Sequence, residues 1–153
     1  MRLWDWALEA YARQPVAEAC LLLQDAHGQN VPYLLWAAWM AGEGRMADLK
    51  DAAKMMRAWD AEVGAPLRRV RRALKPARPP VDEALKEALR DAVKAVELKG
   101  ERVLMESLEA LSGPPGAPIP VLEGLAAAAE ASGDPPRRSA LEKLAVALEK
   151  QAG

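Results

Sequence analysis

The chain has 153 residues, of which 51% are hydrophobic and 28% are charged, and its 21 basic and 22 acidic residues leave a formal net charge of −1. This length is typical of one domain with a sizeable core, and the composition excludes a disordered or fibrous protein. The charge balance excludes a molecule drawn as a whole to nucleic acid or to an anionic membrane.

The sequence favours a cytoplasmic location. Cys20 is the single cysteine, so an intramolecular disulfide is excluded and a reducing compartment is indicated. Residues 1–15 contain Asp5 and Glu9 and lack the pattern of a signal peptide. The strongly apolar run 31–42 is shorter than the roughly 20 residues that a membrane-spanning helix needs. We therefore expect a soluble protein with no membrane segment.

Three helices are predicted in the first 41 residues. The first covers 3–12, and the second begins at Pro15 and stops at Gly28, since proline suits the first turn of a helix and glycine its end. Asn30 caps a third helix that starts at Val31. The pattern predicts a tight antiparallel helical hairpin over 15–41.

The middle of the chain predicts two long helical segments. Apolar residues recur every three or four positions over 49–74, which indicates either one helix kinked at Pro66 or two helices in line. The proline-rich segment 75–80 ends this pattern. A helix over 81–111 follows and either forms a spine or breaks near Gly100. Its apolar stripe consists of Leu85, Leu89, Ala92, Val96, Val103 and Leu111.

The last part of the chain predicts a separate pair of short helices, over about 121–132 and 137–151. No segment alternates with the period of a strand. We therefore predict an all-α fold, a compact bundle of six or seven helices. Its expected parts are a core domain at 1–112, a Pro/Gly linker at 113–120 and a C-terminal helical hairpin at 121–153, either loosely attached or part of the same domain.

The turn between the second and third predicted helices is the candidate polar site. An aspartate in the last turn of a helix opposes the helix dipole at a cost of roughly 0.3–1 kcal/mol, so Asp25 requires a reason. We favour the interpretation that it accepts backbone N–H groups of the turn over the interpretation that it binds a ligand. The candidate residues are Gln24, Asp25, His27 and Asn30.

A metal site is not expected. Cys20 and His27 are separated by two helical turns, about 10 Å, and the chain has no second cysteine or histidine, which rules out a Cys/His zinc site within it. A Cys–His nucleophile pair is not favoured for the same reason. We interpret Cys20 as a small buried apolar residue and expect no cofactor.

Two pairs of carboxylates share a helical face and are the remaining candidates for binding a cation. They are Asp48 with Asp51, and Glu97 with Glu101. Basic residues lie next to both pairs, so we interpret them as solvated helix faces.

The segment 67–78 carries six positive charges and no acid. It is a candidate surface for an acidic or phosphate-rich partner. The acids Asp82, Glu83 and Glu87 follow closely enough in sequence to neutralise it, and we favour a solvated or intramolecular role. The candidate basic residues are Arg68, Arg69, Arg71, Arg72 and Lys75.

All five tryptophans lie in the first 59 residues, and Trp36 and Trp39 are three positions apart on the third predicted helix. A helix that is apolar on all sides is either central in a fold or carries an exposed docking patch. A protein partner or a homo-oligomer is therefore a reasonable hypothesis.

Several segments resemble one known family. They are Leu3-Trp-Asp-Trp-Ala-Leu-Glu-Ala-Tyr-Ala-Arg13, Val16-Ala-Glu-Ala-Cys-Leu-Leu-Leu-Gln-Asp25, Leu34-Leu-Trp-Ala-Ala-Trp39 and Glu97-Leu98-x-x-Glu101-Arg102-Val103. The chain resembles, over about residues 3–111, a family of short uncharacterised proteobacterial proteins classed only as a domain of unknown function. The resemblance implies a bacterial, cytosolic, helical protein and brings no catalytic residue.

Three hypotheses of function follow, and whether the protein is an enzyme is left open. The leading one is a non-enzymatic protein-interaction or adaptor protein that uses Trp36 and Trp39 or the basic stripe 68–75. The alternative is a small-molecule-binding protein or enzyme with an apolar pocket beneath the 24–30 turn. The third, which is not favoured, is RNA binding through the arginine run, with an affinity that falls steeply with salt.

Overall fold

A computed structural model describes residues 1–150 and confirms an all-α fold. These residues contain eight α-helices and one π-helical turn, and no strand. Since two of the helices are continuous through the π turn, they form seven unbroken helical segments. The helices are α1 (Leu3–Tyr11), α2 (Gln14–His27), α3 (Val31–Glu43), α4 (Leu49–Trp59), α5 (Ala65–Ala73), α6 (Glu83–Ala110), α7 (Val121–Ser132) and α8 (Arg138–Glu149), and the π turn is Asp60–Gly64.

The predicted turn between α2 and α3 is confirmed. Gly28 ends α2 with φ of 60°, which an L side chain rarely adopts, and Asn30 Oδ1 accepts a hydrogen bond of 3.0 Å from the Tyr33 N–H. The two helices nevertheless make few contacts with each other. Instead, α8 packs against α2, and α7 packs against α3.

Helix α3 is the centre of the core, since every residue over 31–41 is buried. A helix that is apolar on all sides has to be covered on all sides. Helices α1, α6 and α7 each contact it, and α7 does so most extensively. Helix α7 therefore completes the core around α3.

The π turn joins α4 to α5 without a break in the helix. Pro66 lies in the first turn of α5 and has no N–H to donate to the preceding turn. A π turn at this point widens the helix by one residue, which is a common way to accommodate such a defect. Residues 49–73 are therefore helical throughout, with the π turn directly before Pro66, where the sequence predicts either a kink or a junction between two helices.

Helix α6 is continuous through Gly100 and spans 28 residues. Its N-terminal half packs against α5, and its C-terminal half against α1 and α3. The apolar stripe of the sequence is largely exposed: Leu85, Leu89, Val96, Val103 and Leu111 all lie among the exposed large apolar residues. A stripe with this spacing is typical of a buried face, so its exposure is unexpected.

Lys86 is the buried charged residue of α6, with 4% of its surface exposed. Its ammonium donates to the carbonyl oxygens of Leu74 (2.8 Å), Lys75 (3.3 Å) and Pro76 (2.7 Å). These carbonyls are left without helical partners where α5 ends. Lys86 thereby joins the end of α5 to the first turns of α6 and forms a closed corner.

The predicted linker is held against the end of α3. The N–H groups of Gly113, Gly116 and Ile119 donate to backbone carbonyls at residues 41–46, with distances of 2.7–3.0 Å. Beyond it, α7 lies close to α3, because a Cβ at Gly124 would come within 2.7 Å of the Ala41 Cβ. Within residues 1–150, no helix is both long and apolar enough to cross a lipid bilayer.

Candidate functional site

A cleft lies where the end of α2, the start of α3, the π turn and the middle of α6 meet. It contains three adjacent cavities of about 30, 150 and 380 Å³, and Gln24 lines all three. Glu101 lines the first two, and Arg68 lines the first and third. One glutamine at the end of a helix therefore lies at the junction of an inner polar cavity, an apolar cavity and an outer polar cavity.

The π turn supplies the polar wall of the inner cavity. Asp60 Oδ1 accepts hydrogen bonds from Arg68 Nη2 at 2.9 Å and from Asn30 Nδ2 at 3.4 Å. Asn30 therefore acts twice, as the cap of α3 and as a link to the π turn. Turns of this kind are frequent at functional sites because they displace side chains from their regular helical positions.

The opposite wall comes from α6. Arg71 donates to Glu97 Oε2 across 2.6 Å, and the Glu97 side chain is only 13% exposed. Trp59 Nε1 donates to the Gly100 carbonyl at 3.1 Å, which fixes α4 against α6 beside the cleft. These two contacts hold the segment of α6 that carries Glu101.

Glu101 is exposed, has no ion-pair partner among residues 1–150 and lines both the inner and the apolar cavity. Neighbouring protein atoms partly desolvate its carboxyl group, and the charge of Glu97 adds to the effect, which together raise the pKa of Glu101 to about 7. Arg68 and Arg71 oppose this rise. The group can therefore exchange a proton near neutral pH.

The apolar cavity has a volume of about 150 Å³. An engineered cavity of about this size in another protein binds benzene, so the space suits one small ring. Gln24, Glu101 and the phenol of Tyr11 supply polar groups to its lining. Its other lining residues are Trp4, Ala7, Leu8, Val31, Pro32, Leu35, Leu98 and Met105.

The structure brings together half of the predicted polar site. Gln24 and Asn30 line the cleft, and Gln24 alone of the four also lines its apolar cavity. The predicted role of Asp25 is wrong, because this exposed carboxylate lies 3.3 Å from Arg72 Nη2 and accepts from that guanidinium rather than from the turn. His27 lies outside the three cavities. Its backbone carbonyl accepts a hydrogen bond of 3.0 Å from Gln29 Nε2.

The predicted partner surface at Trp36 and Trp39 is wrong, because both side chains are buried. Trp36 Nε1 donates to Ser112 Oγ at 2.8 Å, and Trp39 Nε1 donates to the Met1 carbonyl at 3.1 Å. The guanidinium of Arg45 lies 4.7 Å from the centre of the Trp39 ring. The two indoles therefore belong to the core, with their N–H groups satisfied.

Three of the six basic residues of the arginine run form ion pairs within the described part of the chain, and the other three are exposed to solvent. Arg68, Arg71 and Arg72 contact Asp60, Glu97 and Asp25 respectively. The predicted source of the acids is wrong, since Glu83 and Glu87 contact Lys86 instead. Arg69 and Lys75 are exposed and form no ion pair within the described part of the chain.

Sequence reasoning missed Asp60 and assigned Glu97 and Glu101 to a solvated face. The spacing of residues on α6 could not show which helices pack beside Glu97 and Glu101. The interpretation of Cys20 is confirmed: the thiol is buried, which raises its pKa to about 12. No group of side chains suited to a metal ion occurs in residues 1–150.

Fold and cleft together define an all-helical protein with a charged cleft and an adjoining apolar cavity. The chain belongs to the family described as Protein of unknown function (DUF2390), whose model matches residues 2–108. That range includes α1 to α5 and nearly all of α6, and so every residue of the inner and apolar cavities. No curated protein and no solved structure matches the chain.

Proposed function

We propose that the cleft binds a small molecule that has an apolar body and a hydrogen-bond-donating head group, for which a primary ammonium group is the best fit. The observation that carries the proposal is the position of an unpaired carboxylate, Glu101, at the edge of an apolar cavity large enough for one ring. This proposal follows the alternative hypothesis drawn from the sequence, that of a small-molecule-binding protein. It differs in that Glu101, rather than Asp25, binds the polar group of the ligand.

The chemistry of the lining supports an ammonium head group. Trp4 and Tyr11 line the apolar cavity together with Glu101. Aromatic faces and a carboxylate both attract a cation, and desolvation strengthens the attraction. Gln24 offers an amide oxygen that can accept a second hydrogen bond from the same head group.

The test compares three molecules that share one ring and differ in the head group: benzylamine, benzyl alcohol and benzoate. We expect benzylamine to stabilise the protein most and benzoate not at all. At a concentration ten times its Kd, a ligand stabilises by about 1.4 kcal/mol, which corresponds to a rise in Tm of about 3–6 °C. Titration calorimetry then gives each affinity directly.

Two variants and one control make the assignment specific. Glu101→Gln should remove the advantage of benzylamine over benzyl alcohol, and Leu98→Trp should obstruct the apolar cavity and weaken both. Glu130→Gln, an exposed carboxylate change on α7, should leave the ranking unchanged. Equal binding of all three molecules, or an unchanged ranking in Glu101→Gln, would contradict the role of Glu101; no binding by any of them would contradict the cavity.

We also propose that residues 1–150 act as one structural domain in the cytoplasm. The packing of α7 on α3 and of α8 on α2 supports a single domain. The free, buried thiol of Cys20 supports a reducing compartment.

A further inference from the structure

The N-terminal half of α6 presents an apolar face that nothing in residues 1–150 covers. Leu85 is 73% exposed, Leu89 54% and Val96 49%. On a helical projection these three lie within about 40° of one another, given 100° per residue. Exposed apolar residues on a protein surface are usually scattered singly, whereas a contiguous row of them is typical of an interaction site.

The spacing of this face is that of a helix that pairs with another helix. Leu85, Leu89, Ala92 and Val96 are separated by four, three and four residues, the spacing of the a and d positions of a heptad. The small residues Ala88 and Ala95 flank the stripe and are also exposed. Small flanking side chains allow a second helix to approach closely.

The charges at the two ends of the stripe are opposite. Asp82, which caps α6 and is exposed, lies three residues before Leu85, at the preceding a position of the heptad. Lys99, which is exposed and has no ion-pair partner in the described residues, lies at the next d position after Val96. Two antiparallel copies would therefore place the acidic end of each beside the basic end of the other.

We infer that α6 pairs antiparallel with α6 of a second copy of this chain. One register satisfies every layer of the stripe, because residues whose numbers add up to 181 then face one another. The layers are Asp82 with Lys99, Leu85 with Val96 and Leu89 with Ala92, each formed twice about the two-fold axis. In this register apolar residues face apolar residues, and each Asp82 faces a Lys99 of opposite charge. A parallel dimer would instead place Asp82 against Asp82 and Lys99 against Lys99.

The paired segment 82–99 is about 26 Å long at 1.5 Å per residue. One helix on each side gives a small interface, so the dimer should form and dissociate readily. The inference does not depend on the proposed ligand, because α6 uses a different face for the cleft.

Sedimentation equilibrium tests the dimer directly. We expect the average mass to rise with concentration from 16.6 kDa towards twice that value. Leu89→Lys should weaken the association at least tenfold. Leu21→Lys, the same change at a residue 48% exposed on α2, should leave it unchanged. A monomer at all concentrations, or equal effects of the two variants, would overturn the inference.

Disulfide formation distinguishes the two orientations. Leu85→Cys and Val96→Cys proteins are prepared separately, and the native Cys20 does not interfere because it is buried. In the antiparallel register, a mixture of the two should form a heterodimeric disulfide far faster than either protein alone. Cross-linking of each variant with itself instead would show parallel pairing and overturn the proposed arrangement.

Discussion

Arg71 and Glu97 form the shortest ion pair described in the molecule, with 2.6 Å between Nε and Oε2. The pair joins α5 to α6 directly beside Glu101. It also gives Glu97 a guanidinium partner, whereas Glu101, about one helical turn away, has no ion-pair partner among residues 1–150.

Removal of the Arg71 guanidinium should destabilise the protein. Arg71→Met leaves the largely buried Glu97 carboxylate without its ion-pair partner, at a cost of about 1–3 kcal/mol. Chemical denaturation measures the loss. The double variant Arg71→Met/Glu97→Gln should recover part of the loss, and failure to recover any would show that packing of Arg71 is what matters.

The stability of the protein should fall between about pH 4.5 and about pH 7 because of Glu101. Its pKa is raised from 4.5 to about 7 on folding, so the folded state holds the proton more tightly over this range. The stabilising effect is complete below the lower value and is lost as the pH rises through the upper one. Because the side chain is exposed in the cleft, the effect should be on the order of 1 kcal/mol.

Glu101→Gln should therefore raise Tm at pH 8 by about 2–4 °C and leave it nearly unchanged at pH 4.5. Thermal unfolding across this range, followed by circular dichroism, gives the difference. The same ionisation should strengthen the binding of benzylamine as the pH rises from 6 to 8. A difference in Tm that does not vary with pH would show that Glu101 titrates as an ordinary surface carboxylate.

Gly124 should be intolerant of a larger side chain. Gly124→Val would bring a Cβ within 2.7 Å of the Ala41 Cβ and 3.2 Å of the Ala37 carbonyl oxygen, so α7 would have to move away from α3. Overpacking of this kind costs about 1–3 kcal/mol. Gly42→Ala is the matched control, since a Cβ there meets nothing within 4 Å. That change should stabilise the protein by about 0.5–1 kcal/mol, measured by denaturant unfolding.

The C-terminal helices should be required for a folded core. A chain ended at Ser112 loses α7 and α8, which leaves the apolar faces of α3 and α2 uncovered. We expect it to keep much of its helical circular dichroism but to bind an apolar dye and to unfold without a cooperative transition. A truncated chain that unfolds cooperatively and binds no dye would show that 1–112 is an independent domain.

The ends of the helices could be predicted because capping is local. Gly28 and Asn30 determine the turn between α2 and α3 within four residues, and periodicity alone is enough to place α6. What covers a helix could not be predicted in the same way. The apolar stripe at Leu85 and Leu89 has the spacing of a core face, and spacing does not show whether its partner lies in the same chain.

For a related reason, only some residues of the cleft could be predicted from the sequence. Gln24 and Asn30 were found because they flank a turn, whereas Asp60 belongs to a π turn, which has no sequence pattern of its own apart from the nearby Pro66. Glu101 looks like any carboxylate on a long helix. Its surroundings come from α1, α2 and α3, all more than 50 residues earlier in the chain, and from the π turn and the first residues of α5, more than 30 residues earlier.

The ammonium of Lys86 occupies a ring of three backbone carbonyls, the kind of oxygen cage that holds potassium or sodium in other proteins. The Lys86 side chain thus supplies the cation at the corner between α5 and α6. This corner should form equally well in potassium, sodium or choline salts. The contact between the end of α5 and the start of α6 therefore uses a covalently attached cation, and it does not depend on which cations the surrounding solution supplies.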